Sequence, residues 1–167
     1  GGGFGTSLRM CNVQQLIIRG RATRPVYLWI DGDSVEIRNA KSLWGKDTWE
    51  TEKRIKNRLG TEKLKILAIG PAGESGCSFG CLITERDHAA GRTGMGTVMG
   101  SKNLKAVAIN VPVRKPTPVD EAAFKNLIKS QVAMLKENPR RKAMTTVGTP
   151  YITMGLMRGG VLPVKNF

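Results

Sequence analysis

The sequence predicts an α+β protein: an antiparallel or mixed β-sheet domain with a Gly-rich loop, followed by the start of an α-helical domain. Three observations predict it. Runs rich in β-branched and aromatic residues recur at 26–30, 35–38, 64–69 and 104–110, with turn residues between them. Between the last two runs, Asp87–Lys105 sets four glycines (Gly91, Gly94, Gly96 and Gly100) among small and basic residues. Beyond Pro112, Pro116 and Pro118, apolar residues repeat at helical spacing.

Taken in order, Gly1 to Gly5 holds too much glycine for regular structure unless backbone or a ligand packs on it. Leu16–Ile18 reads as a short buried strand and Val26–Ile30 as a second. Asp31-Gly-Asp33 is a hairpin turn signal, so Val35–Arg38 returns antiparallel and the strands form a meander. Asp47 and Glu50 have capping-box spacing at the start of a helix. Thr48, Thr51, Ile55 and Leu59 share one face of it, and Gly60 closes it. Leu64–Ile69 is a strand ending at Gly70-Pro71, Phe79–Ile83 another, and Val98–Gly100 a helical turn before the strand Leu104–Asn110.

The prolines mark a linker, so the expected domains are 1–111, β-rich, and 112–167, a linker and the start of a helical domain. Thr117 is the expected cap, with Pro118 first in the helix and Asp120 three residues on. Phe124, Leu127, Ile128, Gln131, Met134 and Leu135 then form a stripe that reads as core. Arg140-Arg-Lys142, the break Gly148-Thr-Pro150 and a Met-rich segment to Met157 carry no chemistry by themselves.

Twenty-seven basic and thirteen acidic residues give a net charge of +14. That balance raises nucleic acid as a partner. The basic residues are nevertheless spread along the chain, without interleaved aromatics or any helix-turn-helix, zinc-finger or RNP pattern. A solvated basic surface facing acidic neighbours is the more economical reading, and no nucleic acid is expected. Cys11, Cys77 and Cys81 are too few and wrongly spaced for a zinc site or a disulfide framework. Core packing of reduced thiols suits a cytoplasmic protein. No targeting signal or membrane segment is visible.

Chemistry therefore rests on the glycine segment. Glycines there let backbone N–H groups approach an anion, Arg92 adds a two-pronged donor and Lys102 a point charge. A P-loop is excluded, because Gly100-Ser101-Lys102 reverses the required order and no glycine stands five residues earlier. A dinucleotide fingerprint is incomplete: Met99 replaces its third glycine, and Arg114 and Lys115 stand where an acid is expected. A glycine-rich turn packed against the sheet is the structural alternative. His88 has no nearby acid other than Asp87, so no nucleophile–base pair is arguable.

Ala89-Ala-Gly-Arg-Thr-Gly-Met-Gly-Thr-Val-Met-Gly-Ser-Lys-Asn-Leu-Lys-Ala106 resembles, without a gap, a signature of the tungsten-containing aldehyde ferredoxin oxidoreductases. Gly2–Gly5, Pro25–Leu28, Leu43–Lys46, Ile69–Glu74 and Leu162–Phe167 agree in the same order. The resemblance implies a fragment of a longer enzyme, its N-terminal, cofactor-binding portion. It implies a tungsten (or molybdenum) ion held by two pterins whose phosphates share Mg, and a [4Fe-4S] cluster with ligands beyond this chain. Aldehydes are then oxidised to carboxylates, with ferredoxin or another electron-transfer subunit as acceptor, in a homo-oligomer or redox complex. By position, it puts the Ala89 carbonyl at the Mg, His88, Ala90, Gly91 and Arg92 along the pterin phosphates, and Gly1 near the other half of the cofactor site. Many members carry Arg where His88 stands, and a neutral imidazole offers one donor in place of a guanidinium fork. A Rossmann-like nucleotide-binding protein and a basic nucleic-acid-binding module are the rival classes.

Overall fold

The structure is a computed structural model and describes residues 2–111 and 117–163. The chain divides into two compact units, Gly1–Pro116 and Thr117–Phe167. Among the described residues no helix is long and apolar enough to cross a membrane.

In the first unit six strands form one sheet: β1 (Val26–Asp31), β2 (Ser34–Asn39), β3 (Leu64–Ala68), β4 (Leu82–Thr84), β5 (His88–Ala90) and β6 (Leu104–Asn110). Their order is β2-β1-β6-β3-β4-β5. The β1–β2 hairpin forms as its turn residues dictate, with Gly32 at φ 58°. The expected meander does not continue, because β1 pairs parallel with β6 while every other pair is antiparallel. The sheet is thus mixed, and the α+β reading holds. A continuous apolar run suits β1 because both of its faces are covered. Tyr27 and Trp29 join Leu43, Ile55, Ile66, Ala106 and Ala108 in one core cluster, whereas Leu28 and Ile30 join Ile69, Met99, Val107 and Ile109 in the other.

Helix α1 (Phe4–Met10) starts among the glycines that were expected to lack regular structure, and Phe4 and Leu8 pack on the second cluster. Burial of those side chains offsets the poor helix propensity of the run. Leu16–Ile18 is not a strand; Leu16 and Ile18 pack on the same cluster, but the segment joins no ladder. Helix α2 (Thr48–Leu59) follows the sequence closely. The Glu50 N–H donates to the Asp47 carboxylate at 2.7 Å, Thr51 and Ile55 are buried, and Gly60 ends it at φ 68°. Only half of the capping box forms, since the Glu50 carboxylate accepts from Arg54 instead. Gly70-Pro71 opens the short helix α3 (Pro71–Glu74), with proline at the first position. The strand expected at Phe79–Ile83 starts later, at Leu82, and Phe79 is exposed.

Helix α4 (Met95–Ser101) takes most of the glycine segment, extending the turn expected at 98–100. It packs on α3 by backbone contact. A Cβ at Gly100 would run into the Gly73 carbonyl, and one at Gly73 would stand 2.8 Å from the Gly96 oxygen. At Gly94, φ is 65° and a Cβ would meet the Ser78 carbonyl. These glycines are needed for packing within the chain, but against α3 and residues 78–81 and not against the sheet as the structural alternative had it.

An ion pair without a local sequence signal ties β6 to α3. Lys105 is fully buried, and its ammonium donates to the Lys46 carbonyl at 2.6 Å and to the Glu74 carboxylate. The other oxygen of Glu74 accepts from the Gly45 N–H at 2.7 Å. Register with β1 jumps from Leu104 to Ala106, so Lys105 is the extra residue of a bulge. Burial pushes the Lys105 amine below the ordinary lysine range, and the Glu74 hydrogen bond opposes that shift.

In the second unit, α5 (Glu121–Glu137) is capped by Asp120, whose carboxylate accepts from the Ala123 N–H at 2.8 Å; Thr117 is not the cap. Two shorter helices follow, α6 (Arg140–Val147) and α7 (Thr153–Arg158). The stripe expected to be core is exposed: Leu127 is 55% and Leu135 62% accessible, and α5 buries no residue.

Gly100→Ala is expected to destabilise the protein by about 1–3 kcal/mol, the scale of overpacking, read as a lower urea midpoint. Lys105→Met and Glu74→Leu are each expected to cost about 3–5 kcal/mol by leaving a buried charge unpaired. The double substitution is expected to cost less than the sum, and an additive double-mutant cycle would refute the coupling.

Candidate functional site

Strand β5 is the edge of the sheet, and it carries three of the residues singled out in the sequence: His88, Ala89 and Ala90. They pair with Thr84, Ile83 and Leu82 of β4, and all three are exposed. An edge strand leaves a row of N–H and C=O groups free for a ligand. A single 3-10 turn, Arg92–Gly94, then leads into α4, so the expected loop is a strand, a turn and a helix.

Gly91 differs from the packing glycines. Its φ is −90°, open to any residue, and a Cβ there would meet only the Cys81 sulfur, at 3.6 Å. Nothing within the described residues requires glycine at this position, and the missing side chain leaves room beside the edge strand. Arg92 is exposed, and among the described residues no carboxylate or carbonyl accepts from its guanidinium. Thr93 holds φ 68° with its hydroxyl donating to the Arg92 carbonyl at 2.5 Å. Lys102 is tied elsewhere: it donates to the Gly20 carbonyl at 3.1 Å, at the far end of α4 from Arg92.

The His88 ring is not isolated among acids. Its Nδ1 lies 2.8 Å from Asp87, as adjacency suggested, and 4.0 Å from Glu85, which the sequence reading did not consider. The Glu85 carboxylate also accepts from the Gly3 N–H at 2.6 Å and pairs with Lys65. Gly2 and Gly3 therefore lie against His88 and Glu85, and the N-terminal glycines border the same edge as β5. Gly1 lies outside the described residues. Glu85 stands three residues before His88, within reach of a local spacing rule, but its bond to Gly3 spans 82 positions and has no local signal.

The cysteines supply no metal centre here, and among the described residues no group of three or more His, Cys, Asp or Glu side chains could hold a metal ion. Cys11 is buried in the second core cluster, as expected. Cys77 and Cys81 are only half-buried and belong to neither cluster. The Cys81 thiol points to the Gly91 carbonyl at 3.9 Å. A Rossmann-like site is excluded, because the glycine segment joins β5 to β6, which are not neighbours in the sheet.

Comparison with known proteins agrees with the motif. Residues 1–111 match the family model described as aldehyde ferredoxin oxidoreductase, N-terminal domain. The tungsten-containing aldehyde ferredoxin oxidoreductases of Pyrococcus furiosus and Thermococcus kodakarensis are each 38% identical over the whole chain. The chain spans 28% of the length of either relative. The aliphatic sulfonate oxidoreductase WOR-like subunit of Pyrococcus furiosus is 38% identical over 75% of this chain and 22% of its own length. Among solved structures, a chain of the active-site complex BamBC of benzoyl coenzyme A reductase, in complex with 1,5-dienoyl-CoA, matches with a TM-score of 0.74. The match has 34% identity and covers 83% of this chain and 21% of that one. With an ungapped glycine signature, a matching N-terminal domain and identity along its full length, the chain belongs to the aldehyde ferredoxin oxidoreductase family.

Proposed function

We propose that this chain forms one side of a pterin–tungsten (or molybdenum) cofactor site, through the edge strand His88–Ala90 with Gly91 and Arg92. The observation that carries the reading is the state of Gly91-Arg92: among the described residues, a glycine with nothing crowding it stands beside an exposed guanidinium without an acceptor. This donor set fits a phosphate-bearing anionic group. Arg92 would grip a pterin phosphate through two parallel hydrogen bonds, and the His88 ring would add one donor. Gly91 would let the phosphate come close to the backbone, and the Ala89 carbonyl would be available as an oxygen ligand for Mg. Gly1 would border the other half of the cofactor.

When bound, such a cofactor supplies two-electron oxidation of an aldehyde to a carboxylate, with electrons leaving through a [4Fe-4S] cluster. The residues of this chain would bind and orient: they would neutralise phosphate charge and hold the pterin against the sheet edge. In the whole enzyme the substrate would be a small aldehyde and the acceptor ferredoxin or another electron-transfer subunit, in a cytoplasmic homo-oligomer or redox complex. In this reading 1–111 is the cofactor-binding domain, and 112–167 is a linker and the start of a helical domain.

Purified full-length protein is expected to contain tungsten or molybdenum, pterin and four irons per chain; metal and pterin analysis finding none of them would sink the proposal. In that protein Arg92→Ala is expected to weaken cofactor retention about tenfold or more at unchanged melting temperature, and Arg92→Lys to recover only part of it. Full pterin occupancy in Arg92→Ala would move the anion contact to the backbone.

A further inference from the structure

We infer that Glu85 is a positioning residue for this site, a carboxylate that sets the separation between the N-terminal glycines and the edge strand. The inference rests on the function proposed above. One oxygen of Glu85 accepts from the Gly3 N–H at 2.6 Å and lies 4.0 Å from His88 Nδ1, while the other pairs with the Lys65 ammonium of β3. Three segments far apart in sequence therefore converge on one side chain. The fit is close: a Cβ at Gly2 would stand 2.7 Å from Glu85 Oε2 and 3.1 Å from His88 Cγ.

The backbone shows that Glu85 is held in place. Glu85 and Arg86 both lie at positive φ, 51° and 69°, in the turn between β4 and β5, where non-glycine residues are uncommon. Arg86 is fastened on the other side, with its guanidinium 5.4 Å from the centre of the Trp49 ring of α2. The Asp87 N–H donates to the Glu85 carbonyl at 2.9 Å, which completes the turn. The turn thus aims the carboxylate at Gly3, while Lys65 neutralises a partly buried charge that would otherwise compete for the solvent. Because Gly3 is hydrogen-bonded to this carboxylate and His88 stands 4.0 Å from it, its length sets how closely the N-terminal glycines lie against the edge strand.

The test uses the full-length protein with Glu85→Ala, Glu85→Asp and Glu85→Gln. Three quantities are read: amide hydrogen exchange of residues 3–8, melting temperature, and pterin and tungsten content per folded molecule. Glu85→Ala and the shorter Glu85→Asp are expected to speed exchange at 3–8 about tenfold or more and to lower cofactor content. Glu85→Gln keeps the side-chain length and an oxygen acceptor for Gly3, and is expected to restore most of both. A merely structural ion pair would lower the melting temperature in all three variants and leave cofactor content per folded molecule at the wild-type level; that result overturns the inference. So does wild-type exchange at 3–8 in Glu85→Ala. Should Glu85→Ala not fold, Glu85→Asp decides by the same two readouts, with wild-type values overturning the inference. A wild-type protein without pterin would sink the function proposed above, and the exchange comparison would still decide whether Glu85 fixes the glycines.

Discussion

The width of a methyl group governs the arrangement of the first unit. Helices α3 and α4 meet backbone to backbone at Gly73, Gly96 and Gly100, with no space for a Cβ at any of the three. Close approach of this kind fixes where α4 begins, and therefore where the turn Arg92–Gly94 and the edge strand β5 must lie. The candidate site is a consequence of that packing: residues 88–90 and Arg92 are exposed, with Gly91 half-buried between them, because the glycines after them are committed to the interior.

Acidic residues are scarce, thirteen against twenty-seven basic ones, and several are used inside the unit as backbone acceptors. Glu74 accepts from the Gly45 N–H, Asp47 caps α2, and Glu85 accepts from the Gly3 N–H. Glu74 and Glu85 each also carry a lysine, Lys105 and Lys65. A carboxylate accepts several hydrogen bonds at once, so one side chain can join segments that share no secondary structure. Among the described residues Arg92 has no such acid within reach of its turn, since the nearest acids in sequence, Asp87 and Glu85, are engaged with His88, Lys65 and Gly3. A guanidinium left over in this way is suited to an anion from outside the chain.

Both units show that a periodic pattern names a face without saying what covers it. In α2 the pattern and the burial agree, because Ile55 meets Tyr27, Leu43 and Ile66 in one cluster. In α5 the same kind of pattern leaves Phe124, Leu127 and Leu135 exposed among the described residues. Helical spacing depends on local geometry, whereas burial needs a second surface of matching shape.

By itself the sequence determined the hairpin at Gly32, the Asp47 cap and Gly60 stop of α2, the long strands β1, β3 and β6, and the family signature around Gly91-Arg92. Those features depend on residues within a few positions of each other, where propensity, turn chemistry and motif spacing apply. Only the tertiary structure decided that β1 runs parallel to β6, that Gly94, Gly96 and Gly100 serve packing while Gly91 does not, and that Glu85 and Lys105 matter at all. The reason is the same in each case. A parallel pairing, a backbone contact or an ion pair between residues tens of positions apart has no local signal, because its partners are chosen by how the sheet and helices close on one another.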